Sequence, residues 1–235
     1  MDTVNKLFPA NDHEFCQIYV ESRITDPRIV HLLNEISRMG CKLPTPFFRC
    51  APCLLPGEET PMMTAGYVLG SFDRFNDIKK LNKPNSKPRA TDGLEEATSS
   101  ASESDYKLQH LLDKPGIIIC EDVLHKYGSM NSENNLVHEL IHAYDDCRAI
   151  MNWADCDQIA CTEIRASALS GECRSMYEQL RGHYNVKGQL MNCVRRRATL
   201  SLKHSRYCQD QDCEEIVDRQ FDKCFADLEP FISRP

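Results

Sequence analysis

The chain has 235 residues, of which 41% are hydrophobic and 27% are charged, so it is long and apolar enough to bury a core and too apolar for global disorder. Its formal net charge of -7 disfavours nucleic acid as a partner, because neutralising phosphates requires a basic surface. No apolar run approaches the roughly 18 to 20 residues of a membrane span and no cleavable targeting peptide is visible, so we expect any membrane attachment to be peripheral.

The N-terminal quarter is predicted to contain one helix. Residues 1–25 are polar without a regular pattern, which is typical of a flexible arm. In the next segment, TDPRIVHLLNEISRMG, apolar residues recur at helical spacing, Thr25 or Asp26 can cap the first turn and Pro27 suits the first helical position. We therefore expect a helix here, at the start of a single domain that covers residues 26–235.

Two strands and an insert are predicted in the next part of the chain. The segment FFRCAPCLLPGEETPMM is turn-rich, whereas TAGYVLGSF has the β-branched and aromatic residues of a strand. A second strand follows the turn in KPGIIIC. Between the two strands, residues 79–106 are rich in Lys, Pro, Ser, Glu and Thr, which predicts a disordered insert.

From Ser132 to the end, the pattern predicts mostly helices. Ser132 can cap a helix that contains LVHELIHAYDDC and is apolar on two sides, which is typical of a central helix. The segment DQIACTEIRASALSG predicts a second helix that ends near Gly171, and EIVDRQFDKCFADL predicts a third. The fold class that follows is α+β, with a small sheet and a mostly helical C-terminal half.

Thirteen cysteines are spread over the whole chain, and their number suggests disulfide bonds. A disulfide framework competes with the use of cysteine as a small buried hydrophobe. A structural zinc site has little support, because only Cys50 and Cys53 show the C-x2-C spacing and such sites normally need two pairs. Since the total is odd, at least one thiol stays free or pairs between chains.

His138, Glu139 and His142 form an H-E-x-x-H motif on the predicted central helix. Residues i and i+4 project from one face of a helix, one turn apart, so two imidazole nitrogens can reach one zinc ion. Glu139 lies beside the first ligand, where its carboxylate can take a proton from a water that the metal activates. The motif therefore predicts one Zn²⁺ with Glu139 as the catalytic residue. The alternative is a pair of core histidines.

A catalytic zinc site needs a third protein ligand. Glu163 lies on the next predicted helix, 21 residues after His142, where a returning chain can bring its carboxylate back to the metal. Asp146 is its rival, since it is four residues after His142, and Asp145 is a further alternative. Three successive turns of one helix diverge from a single point, so Asp146 fits better as a group that orients a histidine or binds an arginine.

Four segments, ICEDVL, LVHELIHAYDDCR, ACTEIRASALSGEC and CVRRRA, resemble the mitochondrial inner-membrane metalloproteases that process and help assemble ATP synthase. The resemblance extends over about residues 26–228, interrupted by the insert. It implies a zincin-like metallopeptidase domain, in which a small twisted sheet packs on the H-E-x-x-H helix and its edge strand holds the substrate. It also implies that His138 and His142 are the zinc ligands.

The resemblance further implies a location and partners. The family is attached peripherally to the mitochondrial inner membrane on its intermembrane-space side, and oxidative folding there would account for the many cysteines. Its members remove an N-terminal segment from the subunit a precursor of ATP synthase. They also assist assembly of the membrane Fo sector, a chaperone role that does not need proteolysis. An assembly chaperone with an idle or structural metal site is the alternative function.

The substrate peptide is expected to lie extended along the strand that contains Ile117 to Ile119, as an addition to the edge of the sheet. Beside zinc, the oxyanion of the transition state has several candidate donors. They include Tyr144, Tyr184 and several arginines, and the sequence offers no basis for choosing among them.

Overall fold

The architecture is a small sheet beside a larger group of helices. The computed structural model describes residues 11–53, 65–68, 116–127, 132–149, 151–184 and 187–235. Within these residues the chain forms three strands and eight helices, which confirms the α+β class and the mostly helical C-terminal half. The predicted insert at residues 79–106 lies outside the described residues.

The helices and strands follow one another in a simple order along the chain. The N-terminal elements are α1 (Asp12–Arg23), α2 (Pro27–Arg38), β1 (Phe48–Ala51), β2 (Ala65–Val68) and β3 (Gly116–Cys120). The elements that follow are α3 (Glu121–Tyr127), α4 (Ser132–Arg148), α5 (Cys156–Leu169), α6 (Ser175–Leu180), α7 (Gln189–His204) and α8 (Cys213–Ala226).

Helix α2 begins and ends where the sequence predicts. The Asp26 side chain accepts a hydrogen bond from the backbone N–H of Arg28, Pro27 is the first helical residue, and Gly40 beyond the C-terminus has φ +84°. Its apolar residues Ile29 and Leu32 are fully buried. A cap, a proline and an apolar stripe all agree here, which is why the sequence alone located the helix.

The expectation of an irregular arm over residues 1–25 is wrong for residues 12–23, which form α1. The Asn11 side chain caps this helix by accepting a hydrogen bond from the Glu14 N–H, and Cys16 and Tyr19 are buried. A disulfide joins Cys16 to Cys50 in β1. The helix buries few apolar residues, so its pattern in the sequence is weak, and a tertiary covalent bond holds it to the sheet.

Strand β3 is the centre of the sheet. The strand order is β1-β3-β2, with β1 parallel and β2 antiparallel to β3. All five residues of β3 are buried. Gly116 at its start has φ +142°, and a Cβ atom there would lie 2.6 Å from the Phe47 carbonyl oxygen, so only glycine allows β1 to approach this closely.

This topology contradicts the expected place of the substrate. Ile117 to Ile119 pair with β1 on one side and with β2 on the other, so β3 has no edge to which a peptide can be added. The sequence identified the strand by its apolar run, but a buried run gives no information on the order of strands.

Helix α4 carries the H-E-x-x-H motif and packs against several other elements. It contacts α2, α5, β2 and β3, and Leu136, Val137, Leu140 and Ile141 are at most 1% exposed. Because both sides of the helix pack against other elements, its polar residues are held in a fixed environment. Within the described residues, no helix combines the length and the apolarity that crossing a membrane requires.

Twelve of the thirteen cysteines form a disulfide framework. The six bonds are Cys16–Cys50, Cys41–Cys147, Cys53–Cys120, Cys156–Cys208, Cys161–Cys224 and Cys173–Cys193. Cys213 is the remaining thiol and it is buried. Cys50 and Cys53 are bonded to other cysteines, so they do not form a structural zinc site.

The bond between Cys41 and Cys147 joins the end of α2 to the end of α4 across 106 residues of sequence. Replacing both cysteines with alanine should lower the free energy of unfolding by about 2–5 kcal/mol, because the unfolded chain loses a long-range cross-link. Chemical denaturation measures this change. The control is Cys213→Ala, which removes a buried thiol but no cross-link and should cost about 1 kcal/mol. Equal losses in the two proteins would contradict a role for the cross-link.

Candidate metal centre

Helix α4 places the two motif histidines on one face. His138 and His142 are one turn apart, with ring centroids separated by 4.8 Å, and both side chains are buried. Two imidazoles side by side in the interior are a costly arrangement unless their nitrogens have partners. Their placement here follows from the i, i+4 spacing and from the packing of α4 on both sides.

Helix α5 packs on α4 and brings Glu163 to the same point. Glu163 Oε2 lies 3.3 Å from His138 Nε2, and Glu163 Oε1 lies 3.6 Å from His142 Nε2. One ligand atom from each of the three residues lies within 4.8 Å of the other two. Glu163 Oε2 is buried and makes no hydrogen bond with a described residue, so this donor set fits a bound cation.

The two aspartates that rival Glu163 point elsewhere. Asp146 accepts hydrogen bonds from the Tyr67 hydroxyl at 2.9 Å and from Trp153 Nε1 at 3.2 Å. Asp145 accepts one from Arg165 Nε at 3.0 Å. The structure therefore groups Glu163, and neither aspartate, with the two histidines.

The opposite nitrogen of each imidazole is held by a second group. His138 Nδ1 lies 3.1 Å from Glu172 Oε1, and His142 Nδ1 lies 2.9 Å from Thr162 Oγ1. The Thr162 hydroxyl donates its hydrogen to Asp145 Oδ2 at 2.8 Å, so it accepts from an Nδ1–H of His142. In both rings the hydrogen-bond network therefore places the hydrogen on Nδ1 and directs Nε2 at Glu163.

Glu139 lies between the histidines and strand β2. Its Oε2 accepts a hydrogen bond of 2.7 Å from the backbone N–H of Tyr67. In the β2–β3 register, Tyr67 is opposite Ile117 and Gly66 is opposite Ile118. Since hydrogen-bonded and non-bonded pairs alternate in an antiparallel ladder, Ala65 and Tyr67 direct their backbone groups away from β3, on the side of Glu139.

These residues face a cleft of about 600 Å³. One wall is β2, the floor carries the motif residues, and the other wall is the end of α7 with the turn that follows it. That wall contributes Leu200, His204, Arg206 and Tyr207. The volume is in the range of small-molecule and peptide sites, so the histidine and glutamate cluster is open to a substrate.

Of the expected oxyanion donors, the two tyrosines do not line this cleft, whereas the arginines Arg197 and Arg206 do. Tyr144 is buried and its ring lies beneath Arg148 Cζ at 5.6 Å, while Tyr184 is 75% exposed. Tyr207 and His204 line the cleft instead. Both lie in the C-terminal part of the chain, far in sequence from the motif, and the spacing of residues around H-E-x-x-H gives no indication of them.

Burial and charge set the protonation of the cluster. Burial raises the pKa of Glu139 from 4.5 to about 7, and burial lowers the pKa of His142 from 6.5 to about 4. Burial also opposes the charged form of His138, but the carboxylates of Glu172 and Glu163 outweigh it and raise the pKa of His138 well above 6.5. Without a metal, the raised pKa of His138 therefore favours a second proton on this ring, at Nε2, and a cation has to displace it.

Three polar residues of this site escaped the sequence interpretation. Thr162 and Glu172 hold the histidine rings, and the Tyr67 N–H holds Glu139. Thr162 stands next to Glu163 in the segment ACTEIRA, and Glu172 stands between a glycine and a cysteine. A search for groups that hold the histidine rings could have started from these positions, because one lies next to the predicted ligand Glu163 and the other lies in the turn that ends the same predicted helix.

Comparison with known proteins gives a family and a set of relatives. Residues 14–232 match the Peptidase M76 family. The chain is similar to the mitochondrial inner membrane protease ATP23 homolog of Homo sapiens, with 40% identity over 116 residues, which are 49% of this chain and 46% of that protein. No solved structure gives a significant match.

Two further relatives show the same extent of similarity. The mitochondrial inner membrane protease ATP23 of Mycosarcoma maydis is 38% identical over 117 residues, which cover 49% of this chain and 53% of the relative. The ATP23 homolog of Xenopus laevis is 42% identical over 116 residues, which cover 49% and 48%. The chain thus spans about half the length of the curated relatives that it matches.

The grouping of the three donor residues predicts which variants lose the metal. Purified protein should contain one equivalent of zinc, and His142→Ala and Glu163→Ala should each lose it, because a site with two protein ligands binds weakly. Elemental analysis after gel filtration measures the content. Asp146→Asn is the matched control and should keep its zinc. If Glu163→Ala kept its zinc and Asp146→Asn lost it, the third ligand would be Asp146 and not Glu163.

The raised pKa of Glu139 predicts how the metal-free protein responds to pH. Below pH 4.5 the Glu139 carboxyl is neutral in both the folded and the unfolded chain, so it does not change the free energy of unfolding. From there to about pH 7 the unfolded chain ionises more readily, so this group lowers stability as the pH rises. Glu139→Gln keeps an acceptor for the Tyr67 N–H and removes the charge.

In the presence of a chelator, Glu139→Gln should therefore be more stable than the wild type at pH 8, by on the order of 1–3 kcal/mol. The difference should shrink toward pH 4.5. Thermal unfolding of both proteins across this range provides the measurement. A difference that grows on acidification would contradict the assigned direction of the shift.

Proposed function

Since the chain belongs to the Peptidase M76 family, we propose that it is a zinc-dependent endopeptidase in which His138, His142 and Glu163 hold the metal and Glu139 is the catalytic residue. One observation carries the proposal: two imidazole Nε2 atoms and a buried carboxylate converge beside a second carboxylate in an open cleft. We further propose that the sheet and α4 form a zincin-type arrangement.

The donor set supports zinc as the ion. Two neutral imidazole nitrogens and one carboxylate oxygen suit Zn²⁺, and three protein ligands leave one position for water or substrate. A bound zinc ion would supply the Lewis acidity that polarises a peptide carbonyl and lowers the pKa of water. The protein supplies a buried site in which both rings are already oriented.

Glu139 is proposed to move the proton. Its Oε2 is anchored by the Tyr67 N–H, which fixes the carboxylate at the edge of the cleft. With a pKa of about 7 in the absence of a cation, it can take a proton from the attacking water near neutral pH. It then gives this proton to the amine that leaves when the peptide bond breaks.

Strand β2 is proposed to bind the substrate. It has β3 on one side, and on the other side the backbone groups of Ala65 and the carbonyl of Tyr67 face the cleft, while the Tyr67 N–H is bonded to Glu139. An extended peptide can add to this side as a further strand, with its scissile bond next to Glu139. Tyr207, His204 and Arg206 on the opposite wall are candidate groups to donate to the oxyanion.

The location and partners are proposed from the relatives and the resemblance. The relatives are named mitochondrial inner membrane proteases, and we propose the same location for this chain, attached peripherally on the intermembrane-space side. Six disulfides support an oxidising compartment. The subunit a precursor of ATP synthase is the proposed substrate, and Fo assembly intermediates are proposed partners.

The extent of the domain also belongs to the proposal. A single domain that ends at residue 235 was predicted to begin at residue 26. The family match begins at residue 14, and Cys16 is bonded to Cys50 of the sheet. We propose that α1 is part of the same domain.

The direct test replaces Glu139 with glutamine. With zinc content equal to that of the wild type, Glu139→Gln should cleave the N-terminal segment of the subunit a precursor about 10²- to 10⁴-fold more slowly, because it has no group that accepts the proton. Mass spectrometry of the products over time measures the rate. Full activity in the zinc-loaded variant would refute the proposed role.

The same variant separates proteolysis from a chaperone role. In cells that lack the native protein, an assembly chaperone would still restore ATP synthase when it carries Glu139→Gln. A pure protease would not. Native gel electrophoresis of the assembled complex distinguishes these results. If the variant restores the complex without cleaving the precursor, the assembly role does not need the catalytic residue and belongs to another surface of the protein.

A further inference from the structure

Glu172 is a fully buried carboxylate that connects the metal centre to helix α7. Its side chain has 0% exposure. One oxygen, Oε1, lies 3.1 Å from His138 Nδ1. The other, Oε2, accepts a hydrogen bond of 3.1 Å from Arg197 Nε and forms an ion pair with Arg197 Nη2 at 2.8 Å. Burying a charge is costly unless it is paired on both sides, and here the two partners are a proposed metal ligand and an arginine of the cleft wall.

The turn that carries Glu172 is fixed at every residue. Each backbone carbonyl from residue 170 to residue 173 accepts a hydrogen bond: Ser170 from Arg28, Gly171 from the Arg174 N–H, Glu172 from Arg181 and Cys173 from Gln189. A segment with all of its acceptors used has little freedom to shift. The direction of the Glu172 side chain is therefore set by the backbone that bears it.

Gly171 allows the chain to enter this turn. Its φ is +89°, a value that L side chains rarely adopt. A Cβ atom would also lie 3.1 Å from Arg28 Nη1 and 3.2 Å from Asn134 Oδ1. Both neighbours help to fix the start of α4 or the end of α5, so the glycine lets the turn pack directly against the helices that carry the metal centre.

A disulfide ties the same turn to the helix that supplies the arginine. Cys173, the residue after Glu172, is bonded to Cys193 of α7. Arg197 is four residues after Cys193, so both lie on one face of α7, one turn apart. The covalent bond thus holds Glu172 at the distance from α7 at which the guanidinium of Arg197 reaches its carboxylate.

From this arrangement we propose that Glu172 is a positioning residue of the metal centre. By accepting the Nδ1–H of His138, it fixes the ring so that Nε2 faces Glu163, and its charge strengthens the imidazole as a ligand. Arg197 and the Cys173–Cys193 bond hold Glu172 in place for this task. The inference rests on the proposed metal site and adds a residue that does not touch the ion.

Glu178 provides a matched control. It is also buried, at 1% exposure, and it also pairs with two arginines, Arg181 and Arg196. It lies on α6, and among the described residues its carboxylate pairs with these two arginines and with neither motif histidine. Glu178→Gln therefore imposes the same chemical change on a buried, arginine-paired carboxylate that does not face the metal centre. Its amide oxygen still accepts from Arg181, which also donates to the Glu172 carbonyl.

The experiment measures metal affinity in four full-length oxidised proteins: wild type, Glu172→Gln, Glu172→Ala and Glu178→Gln. Zinc affinity is obtained by competition with a chromogenic chelator. Glu172→Ala should bind zinc about 10- to 100-fold more weakly. Glu172→Gln should lose less, because its amide oxygen still accepts the Nδ1–H of His138. Glu178→Gln should bind as tightly as the wild type.

The visible absorption of the Co²⁺-substituted proteins adds a readout that general destabilisation does not move. The cobalt bands should shift in the Glu172 variants and stay unchanged in Glu178→Gln, because Glu172 contacts a ligand ring and Glu178 pairs with arginines instead. If Glu172→Ala does not fold, the isosteric Glu172→Gln alone decides, and weaker binding with shifted bands supports the proposal.

Wild-type affinity with unshifted bands in the Glu172 variants that fold would overturn the inference. An equal loss of affinity in Glu178→Gln would also overturn it. A wild-type protein that binds neither zinc nor cobalt at one site would instead refute the proposed function. The two failures are therefore distinguishable.

Discussion

The proposed metal centre depends on two imidazole rings that present the same nitrogen, Nε2, to one point. A ring on a helix can rotate about its side-chain bonds, and two rings one turn apart converge only when both rotations are fixed. Glu172 and Thr162 fix them by occupying Nδ1 of His138 and His142. Glu163 meets the two Nε2 atoms from the next helix, so the cluster requires α4, α5 and the turn after α5 to keep one arrangement.

The disulfide framework lies where that arrangement needs support. The end of α4 is bonded to Cys41, three residues beyond α2. Helix α5 carries two bonds to later parts of the chain, and the turn after α5 is bonded to α7. The described sheet has only three short strands. Covalent bonds between helices therefore supply much of the rigidity that a larger sheet would provide, and they connect oxidative folding with the geometry of the cluster.

The sequence predicted those parts of the site that depend on local spacing. The i, i+4 interval placed His138 and His142 on one face, and the length of chain between two predicted helices pointed to Glu163. Groups that meet through tertiary packing could not be read in this way. Glu172 is 34 residues from His138 in sequence, and Tyr67, whose N–H binds Glu139, is 72 residues from it. Neither separation corresponds to a helical or strand repeat, so no local pattern in the sequence predicts the contact.

The same limit explains the two errors in the fold. Helix α1 buries only Cys16 and Tyr19, so a polar sequence hid a helix that a disulfide and a cap stabilise. The strand with Ile117 to Ile119 was wrongly expected to offer an edge to the substrate, because an apolar run indicates burial on both faces and gives no information on which strands lie beside it. Both features are decided by partners that are distant in sequence.

X-ray absorption spectroscopy of the zinc-loaded protein tests the central claim most directly, because it reports the atoms that bind the ion. The account predicts nitrogen and oxygen neighbours at about 2.0–2.1 Å, with the multiple-scattering pattern of two imidazole rings and no sulfur. Sulfur neighbours at about 2.3 Å would contradict it. They would mean that cysteines hold the zinc and that the histidine and glutamate cluster has another role.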